Sequence, residues 1–340
     1  MAPISLLRLV WLLAAPAAAA AAQSATWRVG VGADLPTVAE ALHRASDGDV
    51  IEVLPGRYRG DVAVITQRRL TIRGVGERPV FEADGRHAEG KAIWVVRDGD
   101  ITIDNIEFRG ARVADNNGAG IRFERGRLHI RRCAFFDNEM GLLTSNVDDA
   151  ELHIEDSEFA QAPQHPGSLH HLLYVGRIAR FTVRTSRFHQ GHIGHLIKSR
   201  ARESVITDNT IVDGPQGRAS YEIDLPNGGL ARIVGNTISQ SALTENATLV
   251  SYGAEGQAWP HSALTVEGNT LSSESPGPAW FVRVWHERLP PSIPIDVRRN
   301  RLQGQAGLEL GPHARADGNV TLPNAALPNG ASAADNAKTR

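Results

Sequence analysis

The sequence predicts a β-solenoid, a coil of short strands stacked on itself. Three observations carry that prediction. First, a core of apolar-x-apolar-x-x-(small or Asn)-x-apolar recurs along most of the chain. It reads LTIRGVGE from Leu70, ITIDNIEF from Ile101, LHIRRCAF from Leu128, LHIEDSEF from Leu152, FTVRTSRF from Phe181, SVITDNTI from Ser204, ARIVGNTI from Ala231, LTVEGNTL from Leu264 and IDVRRNRL from Ile295. Second, the sixth position of that core forms one column: Val75, Ile106, Cys133, Ser157, Ser186, Asn209, Asn236, Asn269 and Asn300, at spacings of 23 to 33 residues. Such a period, built from strands rather than helices, marks a solenoid. A leucine-rich repeat needs a fixed Leu/Asn template that is absent here. Third, a second apolar run follows each core, among them AGIRFER, MGLLTSN, HHLLYVG, GHLIKSR, SYEIDLP, ATLVSYG, AWFVRVWH and GLELGP, with Gly- and Asn-rich turns between.

The elements follow in order. Residues 1–22 hold Arg8, the apolar stretch LVWLLAAPAAAAAA and small residues before Gln23. That is the pattern of a secretory signal peptide, so the expected protein is secreted or periplasmic, without stable membrane insertion. Residues 27 to 62 form an opening unit of strand, helix and strand. Val38, Leu42 and Ala45 recur at helical spacing, and the helix is expected to cover the open end of the first coil. The solenoid is expected over 23–312. Residues 313–340 are small and polar and read as a disordered tail.

The column has a physical meaning. Stacked coils lie about 4.8 Å apart. Asn209, Asn236, Asn269 and Asn300 at one place in successive coils predict an internal amide ladder. Cys133 sits in that column and reads as a packed residue, and one cysteine allows no intrachain disulfide. A formal net charge of −2 gives no basic footprint for nucleic acid. Nothing in the chain calls for an oligomer, so a monomer is expected.

One stretch departs from plain repetition. In HLIKSR and YEIDLP, ionisable groups alternate with apolar ones. Strand alternation predicts Lys198 and Arg200 on one outer face, with Glu222 and Asp224 outward in the next coil. Tyr174 belongs one coil earlier and Tyr252 one coil later, and His171, His192 and His195 crowd the same coils. Lysine occurs only at Lys91, Lys198 and Lys338, so its use at 198 in an arginine-writing chain stands out. Cross-strand salt bridging on an exposed sheet, about 0.2–1 kcal/mol per pair, explains the charges alone but not the His and Tyr crowding.

The opening DLPTVAEALHRASDGDVIEVLPGRYRG and the xLTIxxN coils resemble the pectate-lyase-like superfamily. That resemblance implies an all-β, single-stranded right-handed parallel β-helix of about nine coils with an N-terminal amphipathic helix cap. It also implies a carbohydrate-active role on an acidic polysaccharide. LIKSRARESVITDNTI is similar to the Lys-Ser motif of β-helical alginate and chondroitin lyases, which implies Lys198 as the base. The next coil has Glu222 and Asp224 where those lyases carry an arginine.

Polysaccharide lyase or C5-epimerase chemistry gives the residues concrete work. A neutral base, Lys198, His195 or His171, removes the proton beside the uronate carboxylate. Arg200, Arg202, or Ca²⁺ held by Glu222 and Asp224, neutralises that carboxylate. Tyr174 or Tyr221 supplies a proton. Asn227, Asp224, Tyr221 and Tyr252 are further substrate-binding candidates. Two carboxylates at i and i+2 on one strand face lie about 6.5–7 Å apart, which also fits an inverting hydrolase using Glu222 and Asp224. A non-catalytic glycan-binding solenoid is the third reading.

Overall fold

The computed structural model describes residues 24–165 and 168–323. Three parallel sheets run its length. Sheet A stacks eleven strands, including Asp100–Asp104, Arg127–Arg131, Val147–Glu155, Ile178–Arg184 and Glu203–Thr207. Sheet B stacks eleven three- and four-residue strands such as Glu107–Arg109 and Thr210–Val212. Sheet C stacks ten, among them Leu173–Val175, Ile197–Ser199, Ile223–Leu225 and Thr248–Tyr252. The fold is the parallel β-helix that the repeat predicts. Each coil holds three strands where the sequence suggested two, because the repeat core is itself bent. Its fifth residue, such as Asn105, Asp208 or Gly235, takes a positive φ and turns the chain from sheet A into sheet B.

That bend explains the column. The sixth residue follows the turn, points inward and saturates the bent backbone of its neighbour. The Cys133 N–H donates to Ser157 Oγ (3.1 Å), Ser157 N–H to Ser186 Oγ (3.1 Å) and Ser186 N–H to Asn209 Oδ1 (2.9 Å). Asn236 Oδ1 then accepts from both the backbone N–H and Nδ2 of Asn209, each at 2.9 Å. The ladder continues through Asn269 and Asn300. Each rung removes a buried donor that would cost about 1–3 kcal/mol unpaired. Cys133 is fully buried as a column residue, and burial pushes its thiol up to about 12.

The eighth position of the repeat stacks Phe108, Phe135, Phe159 and Phe188, and Phe81 of the strand Val80–Glu82 extends the stack, with neighbouring centroids 4.5–6.0 Å apart. Short sheet-B strands thus anchor on one large apolar column. At the N-terminal end the helix Val38–Arg44 packs against the first strands of sheets A and C. Thr37 caps it, and the buried Asp61 carboxylate accepts from the N–H groups of Val38 and Ala39.

The expected tail boundary is corrected. Strand Val320–Leu322 joins sheet B, and Asn319 Oδ1 accepts from the Asn300 N–H at 3.0 Å, so the ladder runs past residue 312. The expected signal peptide, 1–22, and residues 324–340 lie outside the described residues. No helix among the described residues is long and apolar enough to cross a membrane.

Candidate active site

Parallel register places the sheet-C side chains in columns. One outward column reads Val64, Val95, Arg122, Leu143, Tyr174, Lys198, Asp224, Ser251 and Arg283. Beside it run Ala92, Ala119 and Met140, and in the coils that follow the rings of His171, His195 and Tyr221 stand next to one another. Both columns are mostly apolar in the early coils and turn ionisable from His171 onward. The repeat keeps its geometry and changes its chemistry.

The ionisable groups converge. Lys198 Nζ lies 2.9 Å from Glu255 Oε1 and 3.4 Å from Asp224 Oδ2. Arg200 Nη2 lies 2.7 Å from Glu255 Oε2, its Nε donates to Tyr174 Oη (3.0 Å), and its Nη1 donates to Asn227 Oδ1 (2.8 Å). Asn227 is fixed in turn by donating to the Gly256 carbonyl at 2.7 Å. The Lys198 side chain is 10% exposed, Arg200 18% and Asp224 3%. These charges are recessed, and Glu255 at 46% sits on the rim.

The two histidines are wedged between aromatic rings. The His195 ring stands 4.7 Å from that of His171 and 4.9 Å from that of Tyr221. The His195 N–H donates to His171 Nδ1 at 2.9 Å, so a neutral His171 carries its proton on Nε2. Burial, then the charges of Lys198 and Arg200, lowers His171 to about 3. Burial, with His171 and Lys198, holds His195 well below the usual histidine value. Both imidazoles are therefore neutral near pH 7. His195 Nδ1 lies 3.4 Å from Asp224 Oδ2, the oxygen that also faces Lys198. Burial raises the Asp224 carboxyl to about 6 against the opposing pull of Lys198. Burial also raises the Tyr221 phenol. Glu255 is partly desolvated, yet hydrogen bonds from Lys198 and Arg200 hold its carboxyl low.

Two sequence expectations, for Glu222 and Tyr252, are corrected. Glu222 does not share a face with Asp224. It is buried at 0% exposure at the level of Leu172, Leu196 and Leu249, which are likewise buried, and among the described residues neither carboxyl oxygen has a hydrogen-bond partner. Alternation holds only within Ile223–Leu225. Glu222 lies at the corner before that strand, where two successive side chains point inward. Burial pushes its carboxyl far up, helped by Asp213. The Glu222–Asp224 pair is thus unavailable to one Ca²⁺ or to an inverting hydrolysis, because the two carboxyls lie on opposite sides of the sheet. Tyr252 is also inward: it aligns with Leu225 and Val284, is 0% exposed, and its hydroxyl donates to the Gly229 carbonyl at 2.6 Å. Arg202 is exposed near the Trp259 ring, 6.0 Å away, and makes no ion pair with the Lys198 group. Among the described residues no group of three or more His, Cys, Asp or Glu has metal-binding geometry.

The sequence reading passed over Glu255 and Trp259 as loop residues. Their signal is weak, because the AEGQAWP insertion folds back over strands far away in sequence. Trp259 Nε1 donates to the Arg200 carbonyl at 3.0 Å, and the Arg177 guanidinium stacks 3.9 Å from its ring.

The fold and this strip define a parallel β-helix with a recessed ionisable face on sheet C. No protein-family model matches the chain, and neither does any curated protein. Among solved structures the chain is similar to ORF18 of Geobacillus virus E2, at TM-score 0.43 and 10% identity over 84% of this chain and 56% of that one. It thus spans little more than half of the viral protein. It is also similar to the pectin methylesterase PemA from Erwinia chrysanthemi, at TM-score 0.37 and 11% identity, covering 84% of this chain and 80% of that one. A third similar structure is the A-module of the Azotobacter vinelandii mannuronan C-5 epimerase AlgE6, at TM-score 0.37 and 15% identity, covering 84% and 93%.

Proposed function

We propose that the protein acts on an acidic polysaccharide by β-elimination or the related C5 epimerisation, on the outer face of sheet C. One observation carries this reading. A recessed cation pair, Lys198 and Arg200, already holds a carboxylate beside two neutral imidazoles.

The chemistry assigns the groups. Lys198 and Arg200 neutralise the uronate carboxylate and stabilise the charge that moves onto it as the C5 proton leaves. His195 takes that proton, and Asp224 beside Nδ1 favours the imidazolium so formed. The resemblance assigned the base to Lys198. An ammonium set between Asp224 and Glu255 is better suited to holding an anion. In elimination the C5 electron pair forms the C4–C5 double bond, the C4–O bond breaks, and Tyr174 protonates the departing oxygen. In epimerisation a proton returns to C5 from the other face. His171, Tyr221 and Asn227 shape the site, and Asn227 also orients Arg200.

The test is an ultraviolet-absorbance and reducing-end screen on alginate, pectate, glycosaminoglycans and bacterial exopolysaccharides, beside His195→Ala and Lys198→Ala proteins. New absorbance from an unsaturated uronate, lost in both variants, is the expected result. Proton exchange at C5 without absorbance identifies the epimerase. Reducing ends without absorbance, or activity that survives both variants, sinks the reading.

A further inference from the structure

Glu255 is an odd resident. It is an acid in a place where the surrounding chain provides two cations. It does not come from a neighbouring strand of the ladder, as ordinary cross-strand partners do. It comes from the turn after Thr248–Tyr252. Each of its carboxylate oxygens meets a different cation, Oε1 at Lys198 and Oε2 at Arg200. A free carboxylate lodged between the same two groups makes the same pair of contacts.

The backbone beneath it is fixed without the side chain. The Glu255 N–H donates to the Pro226 carbonyl at 3.0 Å, and the Trp259 N–H donates to the Asn227 carbonyl at 3.1 Å. The Gly256 carbonyl accepts from Asn227, and Trp259 Nε1 donates to the Arg200 carbonyl. The loop therefore holds its place when the carboxylate leaves. The side chain has only rotamers to change and solvent on its outer side, since it is 46% exposed while its cations are recessed.

We propose that Lys198 and Arg200 form a carboxylate subsite whose resident occupant is Glu255, which an incoming uronate carboxylate displaces. This rests on the polysaccharide reading above and deepens it. Glu255 acts as a built-in competitor. Without substrate it supplies the carboxylate partner of Arg200 and shares Lys198 with Asp224, so the recessed cations are not left short of counter-charge. With substrate it swings to water, and the cost of opening is subtracted from affinity. A site open for about a tenth of the time binds roughly tenfold more weakly than one held open. The device discriminates as well: a neutral sugar gains nothing that repays the lost Glu255 contacts, so only an anion opens the subsite.

The experiment is a calorimetric titration of tetragalacturonate, and separately of acetate, into wild type, Glu255→Gln, Glu255→Ala and the double variant Glu255→Gln/Arg200→Ala. Glutamine keeps the shape and loses the charge. The expected result is binding at least about tenfold tighter in both single variants, with the gain lost in the double variant. Equal or weaker binding in both single variants overturns the proposal and makes Glu255 a positioning residue for the cations. If no protein takes the tetramer but the single variants alone take acetate, the subsite stands and the polysaccharide reading falls. If the single variants take neither, the subsite falls too.

Discussion

Sheets A and C face water on different sides of the same solenoid, and both carry opposite charges in neighbouring coils. On sheet A they alternate coil by coil. Arg184 pairs with Glu155 at 2.7 Å, Arg180 with Glu203 at 2.7 Å and Arg127 with Glu151 at 3.3 Å. Those side chains are one-third to two-thirds exposed, as with Arg184 at 61% and Glu155 at 32%. On sheet C the Lys198–Asp224 pair is 10% and 3% exposed. Pairing alone therefore says little. Depth decides what a pair does, because exposed pairs trade water for a partner at nearly equal free energy while recessed ones have lost their water. The sheet-A charges keep a surface soluble and in register. The sheet-C charges wait for something to solvate them.

The largest expected effect breaks the comparison by function. His195→Ala, Lys198→Ala or Arg200→Ala should lower kcat/KM on the acidic polymer by about 10²–10⁴, while Arg184→Ala leaves it unchanged. The initial rate of absorbance gain checks both. A sheet-A variant that lowers the rate as much would remove the distinction between the faces.

The second effect concerns the inner side of sheet C. Glu222→Leu matches the buried Leu172, Leu196 and Leu249 at the same level. It should raise stability at pH 7 by about 2 kcal/mol, because it replaces an unpartnered buried carboxyl with a side chain of similar volume. The sign with pH follows from the raised carboxyl. Folded Glu222 stays protonated while its unfolded counterpart ionises above its model value of 4.5. Wild type therefore loses stability as pH rises past that value, and the advantage of the leucine variant should shrink at pH 4. Denaturant midpoints at the two pH values measure it. A variant less stable than wild type at pH 7 would show that Glu222 has a partner the carboxyl needs.

The third effect comes from His171 and has the opposite slope. Its folded value, about 3, lies below the ordinary 6.5. The unfolded state takes up a proton first, so stability is lost as pH falls from 6.5 toward 3. His171→Asn should flatten that limb of the stability–pH curve. A sheet-B histidine such as His189, paired with Glu158 at the surface, offers the control position. Equal slopes for both substitutions would mean that the buried cluster is not what sets the acid limb.

These positions explain how much the sequence disclosed. The Asn column and the strand period were legible because they obey a repeat, and a repeat averages over local accidents. Lys198, His195, Arg200, Tyr174 and Asp224 were legible as a group because they violate that repeat in adjacent coils. Glu222 misled because two-residue alternation was carried past the start of its strand, where corner geometry takes over, and Tyr252 because it was grouped with the site by coil although alternation within Thr248–Tyr252 turns it inward beside Leu225. One residue of phase moves a side chain across the sheet. Glu255 was illegible for another reason. It reaches the site through a loop closure rather than through register, and nothing local in AEGQAWP encodes which strands it will meet. Strand-borne members of the site could be found from pattern. The loop-borne member needed the fold.

The smallest effect is the sharpest test of depth. A double-mutant cycle on Arg184 and Glu155, both to Ala, should give a coupling of about 0.2–1 kcal/mol that shrinks with salt. Arg184→Ala alone should stay within about 0.5 kcal/mol of wild type. A cycle on Lys198 and Asp224 should give a larger coupling that salt hardly changes, since ions cannot enter between side chains so little exposed. Each single variant there leaves the other group recessed without that partner, so the cycle includes that penalty as well as the attraction. Chemical denaturation at low and high ionic strength reads both cycles. If the two couplings are equal and equally salt-sensitive, the sheet-C cluster is an ordinary surface ladder and its burial carries no functional meaning. If they diverge with salt, the recessed face stores an electrostatic asymmetry that the exposed face lacks, and an anionic ligand is what that asymmetry would select.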